Sequence, residues 1–277
     1  MVKILTFPSS ASATPDSAGN VIVSGSYGGE YNAYHAAKWK IRGVVLNDCG
    51  VGKGNAGIKG LPYLDRIGLA AATADAWTCH IADGEHMLAH GKISHVNESA
   101  ARLGCRVGQS VAECAELMTR GPVIEAAPPE IAGGKRYVLR DVPGEPKVLA
   151  LDAAPMLTAE DAGAIAITGS HAALFRGQPD NVIGPQLLAV FFNDAGVGLD
   201  QAGITRLPTL DERHMAAATV SAASAPIGDA RAGYNEGIIS HLNKTALAMG
   251  GGVGQPLKAF VDHILELARS GNLPHRP

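Results

Sequence analysis

A short motif at the end of an apolar run carries the residue types that acid–base chemistry needs. Residues 47–52 read Asn-Asp-Cys-Gly-Val-Gly, and residues 193–198 read Asn-Asp-Ala-Gly-Val-Gly. Glycines let a ligand approach the backbone closely. The carboxylate of Asp48 or Asp194 could then act as a base, bind a hydroxyl group or hold a metal ion. The alternative interpretation is that these side chains only cap the glycine loop through Asx-turn hydrogen bonds.

A second motif, Ile-Ser-His-x-Asn, occurs twice and places its histidines at His95 and His241. A buried histidine needs a hydrogen-bond partner, because an unmet buried polar group costs roughly 1–3 kcal/mol. We therefore expect His95 to bond Asn47 or Asp48 across the sheet and to hold the glycine loop in place. Asn97, at the end of the motif, is suited to cap the N-terminus of a helix.

A Gly-Ser turn follows the first apolar run of each half, at residues 25–27 (Gly-Ser-Tyr) and 169–171 (Gly-Ser-His). Bare backbone N–H groups and a hydroxyl at such a turn favour a phosphate or a carboxylate. The alternative is a tight turn that uses Gly25 and Gly28 only for their backbone freedom.

Reactive side chains are concentrated in the first half of the chain. Cys49, Lys53, Asp75, Cys79 and His80 correspond, 146 positions later, to Ala195, Leu199, Ser221, Ala225 and Pro226. The first half is therefore the predicted catalytic half, and Lys53, Asp75 and His80 are predicted to border one cleft with Asp48. If Lys53 and Asp75 instead lie exposed on opposite faces, the centre is to be sought in the second half, starting from His171 and Asp194.

A thiol nucleophile is a further hypothesis, with Cys49 or Cys79 activated by His80. Against it, a small free cysteine often only fills a core and interchanges with alanine.

The candidate site residues divide by predicted role. The predicted catalytic residues are Asp48, Cys49, Lys53, Asp75, His80 and His95. The predicted substrate-binding residues are Ser26, Tyr27, Asn47, Gly50, Gly52, Asn97, Ser170, His171, Asn193, Asp194 and His241. Neither a metal-ligand set nor a cofactor is predicted, because the usual ligand spacings and nucleotide-binding fingerprints do not occur.

These motifs belong to a chain that matches itself. Residues 47–58 and 193–204 are identical at eight of twelve positions, and further matches continue collinearly at the same offset. Upstream, residues 21–29 match 165–173. We interpret the chain as a tandem duplication with a first repeat at 1–122, a linker at 123–144 and a second repeat at 145–277. Two such copies are expected to pack about a pseudo-two-fold axis.

Each half alternates strand and helix patterns. In the first half, strands are predicted at 20–24, 43–46, 69–73 and 93–96, and helices at 30–39, 62–67, 97–103 and 111–119. The second half is expected to repeat this order and to end in a helix at 259–269. Apolar strands alternating with helices predict an α/β fold made of two Rossmann-like parallel-sheet units. Ligands of such sheets bind at the carboxyl ends of the strands.

Composition limits the function classes. A net charge of −3 opposes a generally basic nucleic-acid binder. Apolar residues at 46% and charged residues at 18% indicate a folded chain. The N-terminal apolar stretch is broken at Pro8, no apolar run is long enough to span a membrane, and the four cysteines form no C-x-x-C pair. The expected location is the cytoplasm, without membrane or nucleic-acid partners.

The function predicted from these patterns is a small-molecule enzyme, a hydrolase or lyase acting by general acid–base chemistry. Its substrate would be small and polar or anionic, with a carboxylate, amide or phosphate group bound at the strand ends between the repeats. A homo-oligomer is also expected. The alternative is a non-catalytic module for small-ligand binding or assembly.

Overall fold

The computed structural model describes residues 1–131, 134–179 and 183–274, which form two compact units. Unit 1 comprises Met1–Val51, Asn55–Gly133 and Gly196–Gly203, and unit 2 comprises Gly52–Gly54, Gly134–Ala195 and Ile204–Pro277. Each unit thus contains a short loop segment from the other half of the sequence. Within unit 1 the Leu199 amide donates to the Ala76 carbonyl (2.9 Å), and within unit 2 the Lys53 amide donates to the Ala222 carbonyl (2.8 Å).

Unit 1 is built on a five-stranded sheet whose strands lie in sequence order. The strands are β1 (Ile4–Phe7), β2 (Val21–Tyr27), β3 (Gly43–Asn47), β4 (Ala70–Ala74) and β5 (Ile93–Val96). The first three pairs are parallel and the β4–β5 pair is antiparallel. The predicted α/β class is confirmed, but the sheet is mixed.

The direction of β5 corrects the all-parallel prediction. The amide of Asp75, just after β4, donates to the carbonyl of Lys92, just before β5, at 2.8 Å. The start of β5 therefore lies beside the end of β4. The connection contains α3 (Gly84–His90). It brings the chain back to the end of the sheet from which it left, so β5 runs antiparallel to β4.

Helices cover both faces of this sheet. They are α1 (Glu30–Ala37), α2 (Gly60–Asp65), α3, α4 (Glu98–Arg102) and α5 (Val111–Met118). Alternation along β3 sends Val44 and Leu46 to one face and Val45 to the other. Val44 and Leu46 share a core with α1 and α2, whereas Val45 shares one with α3 and α5.

Unit 2 is built on a six-stranded sheet of the same general kind. Its strands are β6 (Arg136–Arg140), β7 (Val148–Leu151), β8 (Ile165–His171), β9 (Ala189–Asn193), β10 (Ala216–Val220) and β11 (Ile239–Leu242). Strands β7 to β10 are parallel neighbours, and β6 and β11 are antiparallel edge strands. Strand β6 comes from the segment predicted as a linker.

The helices of unit 2 do not repeat those of unit 1 completely. They are α6 (Arg206–Glu212), α7 (Ala230–Glu236), α8 (Lys244–Ala248) and α9 (Leu257–Ser270). Between β8 and β9 the described residues contain the 3₁₀ turn Phe175–Gly177 and no α-helix. The prediction of a helix equivalent to α1 in the second half is therefore wrong. Gly177 adopts a φ of +68°, and Pro179 follows it, and both oppose a continuing helix.

Among these described segments, no helix has the length and apolar character that crossing a bilayer requires.

Candidate functional site

The Asn-Asp pair of unit 1 is engaged in holding its own loop. The Asn47 Oδ1 atom accepts the amide of Cys49 at 2.9 Å. The Asp48 Oδ1 atom accepts the amide of Gly50 at 2.9 Å and a further backbone amide after β4 at 3.0 Å. Gly50 and Gly52 adopt φ values of +66° and +69°, which glycine adopts without strain. These contacts correspond to the Asx-turn interpretation of the motif.

The second Asn-Asp pair makes equivalent contacts in unit 2. The Asn193 Oδ1 atom accepts the amide of Ala195, and the Asp194 Oδ1 atom accepts the amide of Ala222, both at 2.9 Å. Both pairs therefore position a glycine loop at a strand end.

The histidines of the Ile-Ser-His-x-Asn motif do not bond the Asn-Asp pairs. The Nδ1 atom of His95 lies 3.1 Å from the hydroxyl of Ser94. The Nδ1 atom of His241 is buried and has no hydrogen-bond partner among the residues that the structure describes. Asn97 caps α4 by accepting the amide of Ala100 at 2.9 Å, and this capping contact accounts for its place in the motif.

The two cysteines at the strand ends are core residues. Cys49 and Cys79 are 1% and 0% exposed. Burial raises the pKa of Cys79 to about 12, which keeps its thiol protonated at neutral pH. Because the thiolate is the nucleophilic form, this environment disfavours a Cys79 nucleophile.

The polar residues predicted to share a cleft with Asp48 are divided between the units. Lys53 belongs to unit 2, where its ammonium pairs with Glu236 at 2.8 Å. Asp75 and His80 belong to unit 1 with Asp48. There, His80 Nε2 lies 2.9 Å from a carboxylate oxygen of Asp200. The structure thus brings His80 to a carboxylate that the sequence comparison did not single out.

The residues predicted as Gly-Ser turns lie inside strands β2 and β8, so the turn prediction is wrong. In unit 1 this segment is packed by the protein's own backbone. A Cβ atom added at Gly25 would lie 2.3 Å from a backbone nitrogen of the loop before α3. The hydroxyl of Ser26 accepts the amide of Ser10, and the hydroxyl of Ser170 accepts the amide of Ala154, both at 2.9 Å. Close backbone approach therefore explains this glycine without a bound anion.

The corresponding region of unit 2 contains a buried cation. Arg206 is the first residue of α6, and its amide donates to the carbonyl of Ala172 at 2.7 Å. The residue is only 5% exposed. Its guanidinium carbon lies 5.8 Å from the ring centre of Phe175 and 5.6 Å from that of Phe192. Two aromatic rings thus flank the charge.

The guanidinium of Arg206 has no acidic partner among the residues that the structure describes. Its Nε atom is buried without a hydrogen-bond partner in the described part of the chain. No carboxylate of that part lies within ion-pair distance of it. Burial lowers the pKa of Arg206 to about 10, so the group stays charged at neutral pH. A buried charge without compensation is energetically costly.

His171, at the end of β8, lies beside this cation. Its ring centre is 6.4 Å from that of Phe175, which also contacts Arg206. Burial, together with the charge of Arg206, lowers the pKa of His171 to about 3. The ring is therefore neutral at neutral pH. Its Nδ1 atom accepts the amide of Ala173 at 3.1 Å, which leaves the proton on Nε2 as a hydrogen-bond donor.

Sequence reasoning selected His171 but missed Arg206 and both phenylalanines. The available signal was a set of differences between the halves. Arg206 corresponds to Gly60, Phe192 to Leu46, Phe175 to Tyr31 and His171 to Tyr27. Arg206 lies at the start of a helix, outside the strand-end loops where ligands of such sheets are expected.

No group of three or more His, Cys, Asp or Glu side chains that could hold a metal ion occurs within residues 1–131, 134–179 and 183–274. The structure is thus that of an α/β protein in which Arg206 and His171 are both buried near a strand end of unit 2. No protein-family model matches the chain, and comparisons with curated proteins and with solved structures returned no significant match.

Proposed function

We propose that this protein is a small-molecule enzyme of the hydrolase or lyase class and that Arg206 and His171 hold the anionic group of its substrate. The observation that carries the proposal is the buried guanidinium of Arg206, which has no acidic counter-ion among the described residues. A bound anion would supply both the opposite charge and the missing hydrogen bonds.

The donors at this site suit a reaction in which negative charge develops on a substrate oxygen. Fixed donors in a buried site stabilise such a transition state. Amide or ester hydrolysis passes through a tetrahedral oxyanion, and many eliminations pass through an enolate. The Ala173 amide occupies Nδ1 of His171, so His171 acts as a donor. In the acid–base hypothesis, a group other than His171 therefore abstracts the proton.

Anion binding is the first test, by isothermal titration calorimetry and thermal shift with acetate, phosphate and sulfate at neutral pH. We expect the wild type to bind at least one of these anions and Arg206→Met to bind none. Arg231→Met is the control, because Arg231 is an exposed cation of the same unit. A wild type that binds no anion, or an Arg206→Met variant that binds equally well, would overturn the proposal.

Turnover distinguishes an enzyme from a non-catalytic binding module. The binding module is favoured by the loop contacts of Asn47 and Asp48, which give both side chains a structural role. A panel of small amides, esters and hydroxy acids, each with one anionic group, can be followed by proton NMR. Turnover that is lost in folded Arg206→Met supports the enzyme, whereas anion binding without turnover across the panel supports the module.

We also propose that the chain arose by tandem duplication of one α/β unit. Strand pairs at matching positions support this origin. The pairs are Asn47–Ala74 with Asn193–Val220, and Thr73–His95 with Thr219–His241. We further propose that the protein forms a homo-oligomer and is located in the cytoplasm. Light scattering of the purified protein and imaging of a tagged chain test these two points.

A further inference from the structure

The charge balance around Arg206 restricts the kind of anion that fits. The positive charge of Arg206 helps to lower the pKa of His171, and His171 itself is neutral at neutral pH. The nearby Arg176 is exposed. A single buried positive charge balances a monoanion. A phosphate monoester carries roughly −1.5 to −2 charges at neutral pH and would bring excess negative charge into the same buried space.

The shape of the guanidinium restricts the anion further. Arginine presents parallel N–H donors in a plane, which match the two oxygens of a carboxylate. The Nε donor of Arg206 is buried and has no hydrogen-bond partner within the described residues. The Nε2 donor of His171 supplies a hydrogen bond from a separate element, since His171 ends β8 and Arg206 begins α6.

The side chains beside the charged group are apolar. Phe175 and Phe192 flank the guanidinium. Phe192 is 1% exposed, and Leu174, between His171 and Phe175 in the chain, is 8% exposed. A ligand that reaches Arg206 therefore meets hydrocarbon surface, which favours an apolar skeleton over a hydroxylated one.

We propose that the anionic group is a single carboxylate on an apolar carbon skeleton, held by paired N–H donors of Arg206 and by Nε2 of His171. This inference rests on the proposed function and deepens it, because it names the substrate class of the same site. It assigns aromatic or branched aliphatic monocarboxylates to the site and excludes phosphate esters.

The experiment compares, by calorimetry, how tightly different ligands bind the intact chain. Benzoate, 2-methylpropanoate, inorganic phosphate, sulfate and the neutral analogue benzamide are titrated into wild type, Arg206→Lys, Arg206→Met and the control Arg231→Met. We expect benzoate and 2-methylpropanoate to bind wild type and Arg231→Met more tightly than phosphate or sulfate, and benzamide not to bind. Arg206→Lys keeps the charge but loses the planar donor pair, so we expect carboxylate binding on the order of tenfold weaker.

The outcomes separate this inference from the function on which it rests. Tighter binding of phosphate or sulfate than of either carboxylate overturns the carboxylate assignment and leaves the anion-binding proposal standing. Binding of no anion, or equal binding of benzamide and benzoate, overturns both. If Arg206→Met fails to fold by circular dichroism, the ranking on wild type and the comparison with Arg206→Lys still decide the question.

Discussion

Two matching strand ends of this protein are occupied in different ways. In unit 1, helix α1 follows β2, and a Cβ atom added at Gly60 would lie 2.9 Å from both the Cβ of Ala33 and the carbonyl oxygen of Gly28. In unit 2, a 3₁₀ turn replaces that helix, and the position that corresponds to Gly60 holds Arg206. The same place in the fold is thus filled by backbone and helix in one unit. In the other it is filled by a charge that has no acidic partner among the described residues.

This comparison shows where the candidate site differs from the scaffold that carries it. The motifs that recur in both halves, such as the Asn-Asp pairs, hold glycine loops through local hydrogen bonds. Arg206 lies where the halves differ, at the position that corresponds to Gly60. The residues that are identical in the two halves, such as the Asn-Asp pairs, therefore have structural roles. The candidate anion site lies at a residue that differs between the halves.

The largest expected effect comes from placing the arginine of unit 2 into unit 1. Gly60→Arg is expected to lower the free energy of unfolding by about 3–5 kcal/mol, because it overpacks a filled space and buries an unpaired charge. Urea denaturation measures the change. Gly252→Arg is the control, since a Cβ atom there meets nothing within 4 Å. Equal losses in the two variants would show that the strand end of unit 1 is as open as a surface loop.

The next effect compares two arginines of unit 2. Arg206 lacks a counter-ion in the described part of the chain. Arg136, in contrast, donates to the carboxylate of Asp161, a residue that is 5% exposed, at 3.0 Å. Without ligand, Arg206→Met is expected to raise the free energy of unfolding by about 1–3 kcal/mol. Arg136→Met is expected to lower it by about 1–3 kcal/mol, because the buried carboxylate of Asp161 loses its cation. Changes of the same sign in urea denaturation would contradict this contrast.

The buried His171 predicts a pH dependence of stability. The pKa of His171 is about 3 in the folded chain and about 6.5 in an unfolded one. Between these values the unfolded chain binds a proton that the folded chain does not, so stability rises with pH. From pH 7 to pH 5 this residue should remove about 2 kcal/mol from the free energy of unfolding.

The corresponding measurement is urea denaturation of wild type and His171→Gln at pH 7 and pH 5. The variant should lose less stability over this interval than wild type, by roughly the amount attributed to His171. His263→Gln, at a half-exposed position on α9, should behave as wild type. An unchanged pH dependence in His171→Gln would show that His171 is not held neutral by burial.

The smallest effect concerns the polar residues that set the first half apart. Lys53→Leu installs the residue of the matching position 199 and removes the partly exposed ion pair with Glu236. It should change the free energy of unfolding by less than about 1 kcal/mol and leave anion binding unchanged. Loss of anion binding in Lys53→Leu would contradict the assignment of the anion site to Arg206.

Much of the local structure could be predicted from the sequence. Strand β5 has its predicted bounds, and Asn97 caps α4 as predicted, because its side chain reaches an amide only three residues further on. Helix α3 was missed, since Gly-Glu-His-Met-Leu-Ala-His offers too few apolar residues for a periodic pattern. The β1 strand was also missed, because a run of four residues gives a weak strand pattern.

By itself, the sequence determined the alternation of strands and helices and the glycine loops, because these depend on interactions within a few residues of the chain. Only the tertiary structure decided the direction of β5 and the burial of Arg206. Arg206 begins α6, Phe175 follows β8 and Phe192 lies in β9, so their contact requires the assembled sheet. Whether a charge is buried, and whether an acid lies beside it, is set by such distant neighbours, which is why a single arginine becomes a candidate anion site only in the fold.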